Sequence, residues 1–320
     1  MFRRLKKELN IRDGPDPVPI DVPRDPQKFY EDFGFLSHPR QKDQNGYPAL
    51  VKQLAPYQYE FWKYKGDALA IKSQKIGLST SCLLEDFQFT LMPEGAGKDV
   101  LIIAQNEKLA TDHIRTLKLM IYNSEKYSQL LLDDPATFRE EKSKASEIFV
   151  KNPFKRKAPS RIIGLGRSES SVWSWKNVGK IHMSDVAMLE IKDQQTFFGA
   201  VYSRLANTEG IVKIETPPNG QQGEVFNIYN KSKIKCEIDP MISDTFADDP
   251  RDHGSKFKIF EYPVQLAVDS GIISQEFIDK ERRHIGDALF SQLYECSFLP
   301  PGAAWYSQSM IFSDDYGVCA

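Results

Sequence analysis

Short apolar runs alternate with longer amphipathic stretches through the middle of the chain. The runs are too short for helices and rich in β-branched residues, as buried parallel strands are. The stretches between them carry apolar residues at helical spacing. The predicted strands lie within 68–73, 97–105, 159–170, 178–189 and 211–220, and the predicted helices lie within 77–92, 106–127 and 195–210. This alternation predicts an α/β fold, with a mainly parallel sheet flanked by helices.

The first 46 residues have a different texture, because prolines recur through "DGPDPVPIDVPRDP". Proline fixes φ and removes a backbone donor, so this segment is expected to be an extended arm on the core or a linker. Globular sequence begins near residue 47, and a short amphipathic helix is predicted from Pro56.

Charge, hydropathy and the positions of cysteine and histidine reduce the number of functions that this sequence could have. The 320 residues carry a formal net charge of -2, which does not indicate a dedicated nucleic-acid binder. No window is apolar over the roughly 18 residues that a membrane helix needs, so no membrane partner is expected. The four cysteines and five histidines are scattered, which argues against a zinc site. The basic stretches 139–161 and 230–235 could contact nucleic acid or simply be solvated.

Polar residues cluster where three predicted strands end, at 72–80, 184–185 and 216–220. Ligands bind at the carboxyl ends of parallel strands, so these segments are expected to share one site. The first segment joins a strand to a helix and contains a glycine, which is the context of a phosphate-binding loop. A glycine loop, an acid and a small polar turn in this order predict a nucleoside triphosphatase.

Each loop residue can be matched to a need of phosphoryl transfer. Gly77 allows the backbone to approach phosphates closely, at the amino end of a helix. Ser79 or Thr80 can supply a hydroxyl to Mg²⁺, and Lys72 and Lys75 are the available cations. The plainer interpretation is that Ser79 and Thr80 only cap the helix.

The other two segments offer an acid and an amide. Asp185 ends its strand and can bind Mg²⁺ or position the attacking water, while Asn219 can sense the γ-phosphate. Asp185 could instead cap the following turn, and "TPPNG" is also strong turn chemistry.

Together these segments resemble the ATPase domain of viral large terminase subunits, the motors that pump DNA into capsids. "KSQKIGLST" is similar to the family's phosphate loop, whose essential cation comes early instead of after the glycine. "LAPYQYEFW" is similar to its adenine motif, and the run 159–189 to its Walker B region. "ETPPNGQQGEVFNIY" resembles its coupling motif, and "FSQLYECSFLPPGAAWY" resembles the signature that closes the domain.

The resemblance implies a P-loop NTPase of the ASCE, RecA-like class, with N-terminal arm or lid elements and a domain over 47–306. Its motifs would be the adenine motif 54–62, Walker A 72–80, Walker B 178–189 and the coupling motif 215–220. ATP would contact Tyr57, Gln58, Ser73, Gln74, Ile76, Gly77, Leu78, Ser79 and Thr80. Catalysis would use Lys72, Lys75 and Asp185; Mg²⁺ would bind Ser79 and Asp185; and Thr216, Asn219 and Gly220 would couple hydrolysis to movement.

The chain departs from the family at two places. The family commonly has Asp-Glu after the Walker B strand, and this chain has Ser184 and Asp185. Either Asp185 takes the place of the catalytic glutamate, or a one-residue slip makes it the metal acid and puts Val186 at the base position. In the loop, Gln74 stands where the family often has Arg, and a lysine cannot offer the bidentate fork of that arginine.

The implied function is ATP-driven translocation of double-stranded DNA during viral genome packaging, in the cytoplasm of an infected or provirus-bearing cell. The implied partners are a portal protein, a small terminase subunit and further copies of this chain in a ring. DNA-gripping candidates are Lys155, Arg156, Lys157, Arg161 and Arg167, and arginine-finger candidates are Arg161, Arg167 and Arg204.

Two alternatives remain open at this point. A nucleotide-binding assembly module with weak or no hydrolysis is favoured by the missing Asp-Glu pair, and a helicase-like ATPase is a lesser alternative. The family's nuclease domain would begin near 307–320, where the sequence holds two adjacent acids, so no DNA cleavage by this chain is expected. Either the nuclease is a separate polypeptide, or the sequence is a fragment or a truncation.

Overall fold

The structure is a computed structural model, and it describes residues 20–33, 37–42, 48–50, 53–132, 146–154, 159–166, 175–189, 191–206, 208–238 and 257–300. Four DNA-gripping candidates, Lys155, Arg156, Lys157 and Arg167, lie outside the described residues, as do 1–19 and 301–320. Across the described part, no helix combines the length and hydropathy needed to cross a bilayer.

The described residues form strands and helices whose bounds differ by a few residues from those predicted. The strands are β1 (Ser37–Lys42), β2 (Pro48–Leu50), β3 (Ala68–Lys72), β4 (Asp99–Ala104), β5 (Glu147–Val150), β6 (Ser160–Leu165), β7 (Val178–Ser184), β8 (Ile211–Thr216) and β9 (Lys258–Tyr262). The helices are α1 (Pro26–Glu31), α2 (Pro56–Lys63), α3 (Leu78–Leu91), α4 (Glu107–Asn123), α5 (Ile191–Leu205), α6 (Gly223–Ile238), α7 (Val264–Asp269), α8 (Gln275–Ile285) and α9 (Asp287–Tyr294). Short 3₁₀ turns occupy Pro93–Gly95, Ser128–Leu130 and Val186–Met188.

Seven of these strands form one sheet in the order β5-β6-β4-β7-β8-β3-β9. All neighbours in this sheet are parallel except β5 and β6. The predicted fold class, a mainly parallel sheet flanked by helices, is therefore confirmed. Strand β8 lies between β3 and β7, which places the ends of all three at the same edge of the sheet.

The two faces of the sheet carry different chemistry. One face is apolar, where Ile71, Ile181 and Ile214 pack in the same core as Phe197 of α5 and Val225 of α6. On the other face, the strands lie beneath α3 and α4, and Val100 and Ile102 pack with the apolar side chains of those helices. The alternation of side chains along a strand separates the two sets. Polar and charged residues interrupt the second face, and they lead to the candidate site.

The segment that carries α1 is packed into the domain. Phe29 is fully buried, and its ring lies 5.1 to 6.1 Å from the rings of Phe33, Trp62, Phe87 and Tyr127. Aromatic rings at this spacing contribute both buried area and favourable edge contacts. Residues 20–33 thus supply part of the core.

Removing the central ring of this cluster should destabilise the whole domain. Phe29→Ala is expected to lower the free energy of unfolding by about 3 to 5 kcal/mol, because it leaves a cavity among buried rings. Urea denaturation followed by circular dichroism measures the change. The matched control is Phe154→Ala, at a position 61% exposed, which should cost at most about 0.5 kcal/mol. Equal losses in the two variants would contradict the placement of α1.

Candidate active site

The loop between β3 and α3 has a backbone fixed by its neighbours. The amide of Ser73 donates to the carbonyl of Tyr262 at 2.9 Å, and that of Gln74 to the carbonyl of Leu293 at 3.0 Å. Gly77 lies at the N-cap of α3 with φ +74°, a conformation that favours glycine. The amino end of this 14-residue helix carries a partial positive charge and free amides, which suits an anion.

The two residues expected near adenine both contact this loop. The Tyr57 hydroxyl donates to the Ile76 carbonyl at 2.6 Å, and the Gln58 Nε2 lies 3.3 Å from the same oxygen. Gln58 Oε1 also accepts from the Ala55 amide at 3.0 Å, at the start of α2. Both side chains therefore brace the loop at Ile76. Their contact with a base stays a prediction.

Lys72 and Lys75, the two candidate cations, occupy different environments. Lys72 is the last residue of β3 and is 7% exposed, with its Nζ 2.8 Å from Glu215 Oε2, 3.2 Å from Asp185 Oδ1 and 3.4 Å from Ser79 Oγ. Burial lowers the pKa of its ammonium, but the two carboxylates outweigh this effect and hold the pKa above its ordinary value. Lys75 is exposed, has φ +61°, and lies 5.4 Å above the Phe277 ring.

These side chains surround a cleft of about 280 Å³ at the carboxyl edge of the sheet. Its lining residues come from the loop, the end of β7 and the segment after β8: Lys72, Gln74, Lys75, Ser79, Asp185, Met188 and Pro217. The three segments predicted to share a site therefore meet. Ser79, rather than Thr80, is the hydroxyl that lines the cleft.

Ser184 and Asp185 turn in different directions at the end of β7. Ser184 is fully buried, and its Oγ lies 3.1 Å from His113 Nε2 on α4. Burial lowers the pKa of His113 to about 4, so its ring is neutral at physiological pH. Asp185 adopts a left-handed backbone with φ +55°, and its side chain is 29% exposed. Burial raises the pKa of Asp185, and Lys72 opposes that shift.

The donor atoms fit a magnesium ion that also binds phosphate. Ser79 Oγ and Asp185 Oδ1 both lie within 3.4 Å of Lys72 Nζ, so a hydroxyl and a carboxylate share one corner of the cleft. Both are hard oxygen ligands of the kind Mg²⁺ prefers. The described residues contain no group of three His, Cys, Asp or Glu that could hold a metal. Substrate phosphates and water would complete the shell.

The expected coupling segment is tied to the turn that follows Asp185. Thr216 Oγ1 accepts from the Ala187 amide at 3.2 Å, and Asn219 Nδ2 donates to the Ala187 carbonyl at 2.9 Å. The amide of Gly220, which has φ +69°, donates to Gln292 Oε1 on α9 at 3.2 Å. Movement of the turn would therefore reach α9 through this segment. Sensing of a γ-phosphate by Asn219 stays a prediction.

The two arginine-finger candidates that the structure describes, Arg161 and Arg204, lie away from the cleft. Arg161, at the start of β6, makes a bidentate pair with Asp99 at 2.8 and 2.6 Å and stacks 4.8 Å above Trp175. Arg204 Nη1 donates to the Trp175 carbonyl at 3.4 Å, near the start of β7. Both belong to the amino edge of the sheet, so neither reaches the cleft of its own chain. A finger role for either would have to be played in a neighbouring copy.

Sequence inspection missed a row of buried charges beneath α3. Glu85 and Asp86 belong to α3, Lys180 and His182 to β7, and Lys213 and Glu215 to β8, and each is at most 3% exposed. One sequence pattern does indicate these charges: charged residues alternate with apolar ones in the strand sequences "VGKIHMS" and "IVKIET". That spacing places each pair on one face of its strand.

The row divides into two halves. In the half near the cleft, His182 Nδ1 lies 2.7 Å from Asp86 Oδ2, and His182 Nε2 lies 3.5 Å from Glu215 Oε1. In the far half, Glu85 Oε1 lies 3.2 Å from Lys180 Nζ and 2.7 Å from Lys213 Nζ. Lys180 also lies 2.8 Å from Asp86 and so joins the halves.

The electrostatics of the row fix the charge on His182. Burial lowers its pKa, but Asp86 and then Glu215 overcome this and raise the pKa to about 9. Burial also raises the pKa of the Glu215 carboxyl, but Lys72 and His182 hold it below its ordinary range. At neutral pH the imidazolium therefore lies between two carboxylates.

No protein-family model and no curated protein matches this sequence. Solved structures do match. The large terminase ATPase domain of Thermus phage P74-26 is 14% identical, with a TM-score of 0.57 over 89% of this chain and 100% of that one. The HK97 bacteriophage large terminase is 10% identical, with a TM-score of 0.54 over 83% of this chain and 55% of that one.

The large terminase of a thermophilic bacteriophage, in complex with ADP, is 9% identical, with a TM-score of 0.50 over 77% of this chain and 53% of that one. The chain has the fold of a large terminase ATPase domain. The predicted RecA-like P-loop fold is thereby confirmed. The chain spans about half the length of the HK97 terminase and of the ADP-bound terminase.

Because the pKa of His182 is raised in the folded protein, we expect the free energy of unfolding to depend on pH. In the unfolded chain, histidine loses its proton near pH 6.5, whereas the folded protein keeps it up to about pH 9. This stabilisation is complete below pH 6.5 and is lost as the pH rises through 9. The free energy of unfolding should fall by about 1 to 2 kcal/mol between pH 6.5 and 8.

Urea denaturation at several pH values measures this slope, and His182→Gln should flatten it. Lys213 acts in the opposite sense at higher pH, since burial lowers its pKa to about 8, so measurements stop there. An unchanged slope in the variant would contradict a protonated His182.

Proposed function

We propose that this chain is the ATPase domain of a viral packaging motor, which binds ATP with Mg²⁺ and couples its hydrolysis to movement of double-stranded DNA. The observation that carries the proposal is the convergence of Lys72, Ser79 and Asp185 on one cleft, next to the segment 216–220. The fold shared with large terminases supports it, as does the ADP bound to the large terminase of the thermophilic bacteriophage.

In this proposal the protein's own groups position the phosphates. Amides at the amino end of α3 bind phosphate oxygens, and Lys72 supplies the cation that stabilises charge in transfer. Ser79 and Asp185 would hold Mg²⁺, which when bound neutralises phosphate charge. Of the described residues lining the cleft, Asp185 alone carries a carboxylate, so it also orients the attacking water.

Coupling would start at the turn Val186–Met188. This turn follows Asp185 directly and bonds to Thr216 and Asn219, while Gly220 bonds to α9. Loss of the γ-phosphate would shift Asp185 and, through these bonds, the segment 216–220. The proposal includes double-stranded DNA, a portal protein, a small terminase subunit and a ring of copies as partners, and it places the action in the host cytoplasm.

A second candidate function is nucleotide binding without effective turnover, as an assembly module. The observation that favours it is the burial of Ser184 against His113, where large terminases commonly have an acid. One carboxylate would then have to serve both metal and water. Calorimetry showing ATP binding, with no phosphate release even when DNA is present, would support this candidate over the motor.

The hydrolytic role of Asp185 is tested by Asp185→Asn. With DNA present, the wild type should release phosphate from ATP at least about 100-fold faster than the variant, because the variant loses the carboxylate facing the cleft. Adding double-stranded DNA should raise the wild-type rate, and this rise should weaken with salt. The exposed Asp112→Asn serves as the control. If the wild type is no faster than Asp185→Asn, the motor proposal is lost.

Comparison of two lysine variants identifies the catalytic cation. Lys72→Met should lower kcat by about 100-fold or more, whereas Lys75→Met should change it by less than about threefold, because Lys75 is solvated and Lys72 is held beside Asp185. Phosphate release gives the rates, and circular dichroism checks that both variants are folded. A larger loss in Lys75→Met would reverse the assignment.

A further inference from the structure

Lys72 contacts one fully buried residue and two residues that line the cleft. Its contact with Glu215 is the shortest, at 2.8 Å, and the Glu215 side chain is fully buried. Its contacts with Asp185 at 3.2 Å and Ser79 at 3.4 Å are longer, and both of those residues line the cleft. A phosphate or metal in the cleft can compete for Asp185 and Ser79 but cannot reach Glu215.

The sheet itself holds Glu215 in place. Its backbone pairs with Ser184 of β7 on one side and with Ala70 of β3 on the other. Its second oxygen faces His182, which Asp86 fixes at 2.7 Å. Groups locked by such outer contacts hold a reactive neighbour in a defined position.

We propose that Glu215 is a positioning residue, which anchors the Lys72 ammonium at the mouth of the phosphate loop and leaves Asp185 free to act in the cleft. The proposal deepens the ATPase assignment, and its effect on turnover rests on that proposed function. The anchoring itself does not, since it concerns only the contact between Lys72 and Glu215.

Without the charge of Glu215, the ammonium has one carboxylate left to pair with. In Glu215→Gln the amide keeps the size of the side chain, but Lys72 is drawn towards Asp185. That carboxylate is then occupied when it should bind metal or orient water. Binding of ATP depends on many loop amides, so kcat should fall about tenfold or more while KM changes less than about threefold.

The chain offers a matched control in Glu85→Gln. Glu85 is also a buried carboxylate with two lysine partners, Lys180 and Lys213, but neither lysine lines the cleft. Both substitutions remove one charge from the same buried row and should lower stability similarly. A merely structural role for Glu215 predicts that the two variants behave alike in activity.

A second measurement does not depend on ATP turnover. Brief acetylation of the folded proteins at pH 9, followed by peptide mass spectrometry, reports how often each lysine amine is unprotonated and accessible. Lys72 should be labelled about tenfold faster in Glu215→Gln than in the wild type, and unchanged in Glu85→Gln. Labelling of Lys180 in the same samples reports general opening. If Glu215→Gln does not fold, Glu215→Asp replaces it. Its shorter side chain withdraws the carboxylate from Lys72, so Lys72 should again be labelled faster than in the wild type, by a smaller factor.

These outcomes distinguish the anchoring of Lys72 by Glu215 from the proposed ATPase function. Faster labelling of Lys72 that is confined to the Glu215 variant supports the anchor, even if the wild type hydrolyses no ATP and the motor proposal falls. Equal labelling of Lys72 in both variants overturns the anchor, even if ATP turnover is normal. A kcat that falls equally in Glu215→Gln and Glu85→Gln also overturns it.

Discussion

The burial of one ammonium, that of Lys72, constrains most of the architecture around the cleft. A lysine taken out of water must be paired with carboxylates, because an isolated buried charge costs several kcal/mol. Its main partner, Glu215, is on β8, so β8 must lie directly beside β3. Glu215 in turn needs His182 on β7, and His182 needs Asp86 on α3. One charge at the end of β3 thus ties together three adjacent strands and the helix that begins at the loop after β3.

Helix α9 gives the loop and the coupling segment a common support. The carbonyl of Leu293 accepts from the loop amide of Gln74, and the next residue towards the amino terminus, Gln292, accepts from the amide of Gly220. Just beyond the helix, the Cys296 thiol donates to the carbonyl of Ile71, one residue before Lys72. A displacement of the loop can therefore reach the segment 216–220 through α9, in addition to the direct pairing of Ile71 with Thr216. The end of the described domain therefore supports both sides of the cleft.

The central strands and the main helices could be predicted because their signal is local: β-branched runs for β4 and β8, and helical spacing for α3 and α4. Strands β5 and β9 were missed. Charged sequence surrounds β5, and β9 pairs with β3 from far along the chain, which no local pattern reveals. The cleft was predictable because parallel strands end at one edge. The buried row was predictable only in part: alternate spacing places Lys180 and His182 on one face of β7, but sequence spacing does not indicate their partners in α3.

Ser184, at the end of β7, occupies a position where the resemblance to large terminases leads us to expect an acid. The neighbouring strand β8 changes how this serine is interpreted. Ser184 pairs in register with Glu215, so the strand beside the serine supplies a carboxylate at the same level of the sheet. Lys72 therefore meets two carboxylates, although β7 provides one of them instead of both. The substitute differs in a way that matters chemically, because Glu215 is fully buried and cannot offer an oxygen to the cleft. This arrangement keeps the negative charge around Lys72. Of the described residues that line the cleft, however, Asp185 alone has a carboxylate that can contact a metal ion or a water.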